Sequence, residues 1–143
     1  MRKTISARDL GLHLTRDDEG ALFKWFIASF LMGKRIQGDI AVQAYRVIVE
    51  KHARDTAGKL GGCSHRQLVS MLGEARYVRY DESTAARLLS LSKKLLDEYD
   101  GRIGNIQAAS EDRPAFEKRL EAFDGVGPKT VEIFMRDAAA VFY

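Results

Sequence analysis

Cysteine is nearly absent from this 143-residue sequence. Cys63 stands alone, so the chain can form no internal disulfide, and Cys63 itself reads as an inert thiol rather than a reactive one. Histidine is scarce too. His13, His52 and His65 are far apart, and none stands at metal-ligand spacing from another, so no side-chain metal site is expected. Long apolar runs are missing. The most apolar stretch, Ala21 to Met32, is interrupted by Lys24 and Ser29, which excludes a membrane span. The basic N-terminus lacks an apolar segment behind it, so no secretory signal is expected and the default compartment is the cytoplasm. There is no polybasic tail, no internal repeat and no low-complexity tract. No segment reads as a strand.

What is present suits one helical domain over residues 1–143, long enough for a core and too short for two comfortable ones. The net charge of +3 permits a nucleic-acid partner without demanding one. Because Lys and Arg are scattered, a basic face has to be assembled by the fold.

Residues 1–14 are weakly patterned and read either as a flexible arm or as a short first helix. Thr15, followed by Asp17, Asp18 and Glu19, reads as a helix start, with a cap and acids in the first turn. Ala21 to Met32 is apolar nearly all round, with Trp25 among its core residues, and belongs at the centre of a bundle. After the loop Gly33 to Gly38, Asp39 is placed to cap a helix with Ile40, Ala44, Val47, Ile48 and Lys51 on one face, widened by Tyr45 and Val49. Asp55 to Gly62 reads as a linker. Ser64 to Gln67 is a capping box that opens a short helix through Leu68, Met71 and Leu72, ending near Gly73. The longest pattern starts near Asp81, buries Ala85, Leu88, Leu89, Leu95, Leu96 and Tyr99, and stops at Gly101. Asn105 to Ser110 reads as one short turn. The sum is an all-α compact bundle of about six or seven helices.

The chain closes on two amphipathic segments. Phe116, Leu120 and Phe123 recur at helical spacing, and so do Val131, Phe134, Ala138 and Val141. Between them, Gly125 can take positive φ and end the first helix, while Pro128 fits the first position of the second. Backbone N–H groups from Gly125 to Lys129 are then free at a helix N-terminus, which makes an anion site, and Lys129 adds positive charge.

Gly125-Val126-Gly127-Pro128-Lys129-Thr130 resembles the helix-hairpin-helix DNA-binding motif, with the hairpin over 114–140. From about Ala21 to Asp137 the chain is similar to the endonuclease III-like superfamily of DNA glycosylases. The resemblance implies that Gly125, Val126, Gly127, Lys129 and Thr130 contact a DNA phosphate, with a monovalent cation held by hairpin carbonyls. It implies that Lys34 and Arg35 contact phosphate and that Gln37 helps fill the gap left by a flipped base; a solvated polar loop is the other reading of these three. Lys129 matches the nucleophile of bifunctional members, which attacks C1′ of a damaged nucleotide, a reaction that requires a neutral amine. The stronger reading of Lys129 is a phosphate contact, as in purely structural helix-hairpin-helix modules. The four-cysteine iron–sulfur cluster of many relatives is excluded by the single Cys63. The sequence reads as a short form without the region that carries the family's essential aspartate. Asp137 is the nearby acid, but it lies eight residues past Lys129, roughly 12 Å along a helix axis, and reads as an exposed helix residue.

Arg76 and Arg79, interleaved with Tyr77 and Tyr80, suit nucleic acid by stacking and phosphate contact, or place the tyrosines at the core edge. Three functions follow. One is a base-excision-repair glycosylase or abasic-site lyase acting on damaged or abasic duplex DNA. The second is a non-catalytic, sequence-nonspecific DNA-binding domain. The third is a helical protein–protein module.

Overall fold

In the computed structural model, which describes residues 4–143, the apolar run lies in helix α1 (Glu19–Met32). Every residue from Ala21 to Leu31 except Lys24 is buried, as expected of a central helix without a polar face. Its cap is Asp18 rather than Thr15: the Asp18 carboxylate accepts from the Ala21 N–H at 3.0 Å. The Thr15 carbonyl instead accepts from the Asp18 N–H and closes a turn ahead of the helix. The buried hydroxyl of Ser29 donates to the Trp25 carbonyl at 2.7 Å, so it carries no unpaired polar group into the core.

Helix α2 (Gly38–Tyr45) continues into a π-helical turn, Arg46–Lys51. Gln37 occupies the N-cap without a side-chain bond, and Asp39 sits inside the first turn instead of capping. The buried face is Ala41, Ala44, Tyr45, Ile48 and Val49. Ile40 and Val47 are only half-buried, and Lys51, at the end of the wider π turn, is exposed.

The expected linker holds helix α3 (Ala57–Gly61), capped by the Thr56 hydroxyl, which accepts from Lys59 N–H at 3.1 Å. Helix α4 (His65–Glu74) opens with the expected capping box, buries Leu68, Met71 and Leu72, and runs through Gly73. Helix α5 (Asp81–Tyr99) buries Thr84, Ala85, Leu88, Leu91, Ser92, Leu95 and Tyr99. Leu91 replaces the expected Leu96, which is 41% exposed, and Leu89 is half-buried; both expected leucines sit one position past the 3.6-residue stripe. Gly61 is small because α3 and α5 approach closely there: a Cβ on it would lie 3.1 Å from Ser92 Cβ.

Helix α6 (Ile103–Ala108) is longer than the turn expected over 105–110. Its first N–H groups, on Ile103 and Gly104, donate to the Glu19 carboxylate at 2.7 and 2.9 Å, so an acid from α1 caps α6 across the core. Helix α7 (Arg113–Glu121) is capped by Asp112, and helix α8 (Pro128–Phe142) has Pro128 in its first turn as expected. Trp25 Nε1 donates to the Phe134 carbonyl at 3.0 Å and ties α1 to α8. Edge-on ring contacts of Phe26 with Phe123 and Phe134, at 5.6 and 5.4 Å, fill the space between α1 and the final pair.

Eight α-helices therefore form an all-α fold with no strand among the described residues; α3 is the one the sequence concealed. None of the described helices is long and apolar enough to cross a membrane. Of the expected arm, residues 1–3 lie outside the described residues. The rest is neither free nor a regular helix: a 3-10 turn at Arg8–Leu10 buries Ala7 and Leu10, and the Ala7 N–H donates to Asp137 Oδ2 at 2.8 Å.

Candidate nucleic-acid interface

The site is built on the join between α7 and α8. Phe116, Leu120 and Phe123 are buried, as are Val131, Phe134 and Ala138, so both helices face one core. Val141 is half-buried. Gly125 has the expected positive φ, +82, but it does not end the helix: α7 already stops at Glu121 with Ala122 as its cap, and Gly125 bends the connection that follows. Gly125 is also wedged: a Cβ there would lie 2.7 Å from Arg87 Cδ and 3.1 Å from Phe30 Cε2. Gly127 is different. It has φ −109 and ψ −173, extended backbone open to any residue, and a Cβ would meet nothing within 4 Å. The protein's own packing does not require glycine at 127, which leaves the space in front of its backbone clear.

No side chain caps α8. The first backbone bond into the helix runs from Val131 N–H to the Gly127 carbonyl. The N–H groups of Lys129 and Thr130 precede it and have no partner within the helix, so the positive end of the helix dipole lies at the turn.

Three cations from three elements surround this end. Lys34, in the loop after α1, donates from Nζ to the Gly125 carbonyl. Arg87, on α5, places Nε 3.8 Å from Asp124 Oδ1. Lys129 is exposed in the first turn of α8 and has no ion-pair partner among the described residues. Together with Gly33, Glu121 and the turn residues they line a pocket of about 540 Å³. Two acids, Glu121 and Asp124, share it, and Asp124 partly offsets Arg87 in the free protein. Of the two lysines, Lys34 is half-buried. Burial first, and then the neighbouring Arg87, lower its pKa below the usual lysine value, while Asp124 pulls it back up.

The expected contacts divide under this geometry. Lys34 reaches the turn. Arg35 and Gln37 are exposed on the same loop, with Gln37 at the α2 N-cap. Val126 and Thr130 are 5% and 1% exposed, so both are packed inside the turn and neither offers a side chain to a partner. Thr130 abuts Gly33 so closely that no Cβ would fit at 33, which docks the loop carrying Lys34 onto the start of α8. Asp137 is half-buried rather than exposed, and holds the N-terminal arm through Ala7. It lines a larger pocket of about 870 Å³, with Leu12, His13 and Arg16, toward the far end of α8. That pocket is bigger but lacks the uncapped helix start, so size does not select it.

Arg87 is the residue of this site that the sequence does not point to. No local signal pairs α5 with a turn 37 positions later; only the tertiary fold brings them together. In the α4–α5 connection, Tyr77 is fully buried with its hydroxyl 3.3 Å from Thr84 Oγ1, so it belongs to the core. Tyr80 is 50% exposed, with the Arg79 guanidinium 5.0 Å from its ring centroid. Arg76 and Tyr80 both hold positive φ, at 63 and 64, which makes this a tightly bent loop with its polar ends outward. Tyr80 is the N-cap of α5, seven residues before Arg87.

The cation implied by the resemblance meets a turn in which three carbonyls already accept hydrogen bonds. Gly125 accepts from Lys34, Phe123 from the Val126 N–H and Gly127 from the Val131 N–H. A second cation on the Gly125 carbonyl would sit against the Lys34 ammonium, so that carbonyl does not suit it. No group of three or more His, Cys, Asp or Glu placed to hold a metal occurs among the described residues. Cys63 is buried, its Sγ 3.7 Å from the Lys59 carbonyl.

Comparison of the chain with protein-family models, with curated proteins and with solved structures finds no match.

Proposed function

We propose that this protein binds duplex DNA by its phosphate backbone through the α7–α8 turn, as a base-excision-repair protein of the glycosylase or abasic-site lyase type. The observation that carries the reading is the convergence of Lys34, Arg87 and Lys129 on an uncapped helix start whose Gly127 leaves open space in front of the backbone. Uncapped amides and clustered cations suit a phosphate oxygen. Contacts of that kind position DNA without reading sequence. Exposed Tyr80 and Arg79, in the connection that leads into α5, offer a ring for stacking and a charge for phosphate.

The chemistry open to such a site is imine formation. A neutral lysine amine attacks C1′ of an abasic deoxyribose in its aldehyde form, water leaves, and the Schiff base allows elimination that breaks the C3′–O bond. Lys129 is the amine in the motif. The non-catalytic reading has its own support: Lys129 is exposed, and Asp137 is committed to Ala7.

Borohydride trapping on a duplex with one abasic site separates the two. A covalent protein–DNA band that disappears in Lys129→Ala identifies a lyase with Lys129 as nucleophile. A band that survives Lys129→Ala moves the amine elsewhere, with Lys34 the neighbour to substitute next. Salt-sensitive duplex binding without trapping identifies the binding domain. Absence of duplex binding at low salt refutes both.

A further inference from the structure

The α7–α8 turn already holds a cation, and it is the chain's own. Lys34 Nζ donates to the Gly125 carbonyl and stands 4.4 Å from the centroid of the Phe30 ring. The backbone that delivers it is fixed from both sides. Gly33 N–H donates to the Ser29 carbonyl at 2.9 Å, and Gly33 presses on Thr130 at the start of α8. Gly125, in turn, is held between Phe30 and Arg87.

We propose that Lys34 is the fixed cation of the turn, its ammonium bridging the Gly125 carbonyl and a DNA phosphate oxygen in place of a diffusible monovalent ion. The inference rests on the DNA-binding reading above. An ammonium has three N–H donors. One is used on Gly125, one side of the group faces the Phe30 ring, and a donor remains for a phosphate. A free ion at the same carbonyl would meet like charge from Lys34 and, close by, from Arg87. A tethered ammonium needs no ion from solution, so the identity of the salt cation should not matter to the turn.

The test compares KCl, NaCl and tetramethylammonium chloride at equal ionic strength, with wild type, Lys34→Met and Lys34→Arg. Affinity for a short fluorescent duplex is read by anisotropy, and melting temperature is read in parallel. Wild-type affinity is expected to agree within about twofold across the salts, because counterion release depends on ionic strength. Lys34→Met should lose about tenfold in tetramethylammonium, the scale of one charged hydrogen bond, and regain much of it in KCl as a small ion takes the vacated place. Lys34→Arg should stay near wild type. A wild-type affinity that falls about tenfold from KCl to tetramethylammonium overturns the proposal, as does Lys34→Met binding like wild type in every salt. If wild type binds no duplex in any salt, the DNA reading fails by itself and melting decides this inference. A KCl-specific rise in melting temperature confined to Lys34→Met supports the fixed cation, and an equal rise in wild type overturns it.

Discussion

Two glycines two residues apart should fail in opposite ways. At Gly125 an added methyl group meets φ +82, which costs roughly 1–2 kcal/mol for an L-residue. It also meets Arg87 Cδ at 2.7 Å and Phe30 Cε2 at 3.1 Å. Arg87 can swing outward, but the Phe30 ring is fully buried and cannot, so overpacking adds about 1–3 kcal/mol. Gly125→Ala should therefore lose roughly 2–5 kcal/mol, a drop in melting temperature on the order of 10 °C. At Gly127 the backbone is ordinary and the space empty. Alanine is the poorer N-cap by some tenths of a kcal/mol, and the stiffer unfolded chain returns about as much. Gly127→Ala should then melt within about 0.5 kcal/mol of wild type, yet bind duplex DNA about tenfold more weakly, because its methyl group holds the phosphate off the amides. Urea unfolding and anisotropy titration on the same preparations read both quantities. A Gly127→Ala protein as destabilised as Gly125→Ala, or one that binds like wild type, would refute the division.

Asp124→Asn should tighten duplex binding by about two- to fivefold, since it removes a carboxylate that pairs only weakly with Arg87 at the surface; weaker binding would mean that Asp124 positions Arg87 instead of competing for it. Trp25→Phe removes the 3.0 Å bond to the Phe134 carbonyl and empties part of a fully buried indole's volume, and should cost about 1–3 kcal/mol, read by chemical denaturation; an unchanged midpoint would count against the α1–α8 tie. The Lys34 pKa is lowered on folding, so the unfolded chain binds that proton more tightly. Its destabilising contribution is complete below the folded value and is relieved as pH rises toward 10.5, while duplex affinity falls over the same alkaline window as the charge is lost. Lys34→Met should abolish both trends, and their persistence in that variant would assign them to another group.

The helical class and the α7–α8 turn could be read in advance because their signals are local. The periodicity of α7 and α8, the positive φ of Gly125 and the Pro128 start need only adjacent residues. The capping box at Ser64 is local in the same way. Helix α3 was hidden because Gly58, Gly61 and Gly62 mark loops by propensity, whereas Gly61 is there for its contact with Ser92. Leu91 and Leu96 were exchanged because each fits a helical stripe drawn from a different starting residue, and only the packing of α3, α4 and α6 on α5 chooses between them. Charge convergence is the least legible property. Lys34, Arg87 and Gly125 meet across 91 positions of chain, and sequence spacing carries no trace of that meeting. Tyr77 and Tyr80 look alike in sequence, yet one packs in the core and the other faces outward, because positive φ at Arg76 and Tyr80 bends the loop between α4 and α5.

The most direct measurement is the affinity of the wild-type protein for a short duplex of arbitrary sequence, followed from 50 to 200 mM salt, a range over which a backbone-binding protein changes affinity steeply. With Lys34, Arg87 and Lys129 on phosphates, the logarithm of the association constant should fall linearly with the logarithm of salt at a slope of about −3, and Lys129→Ala should reduce that slope by about one. No binding at the low-salt end, or binding that ignores salt, would contradict a phosphate-anchoring turn.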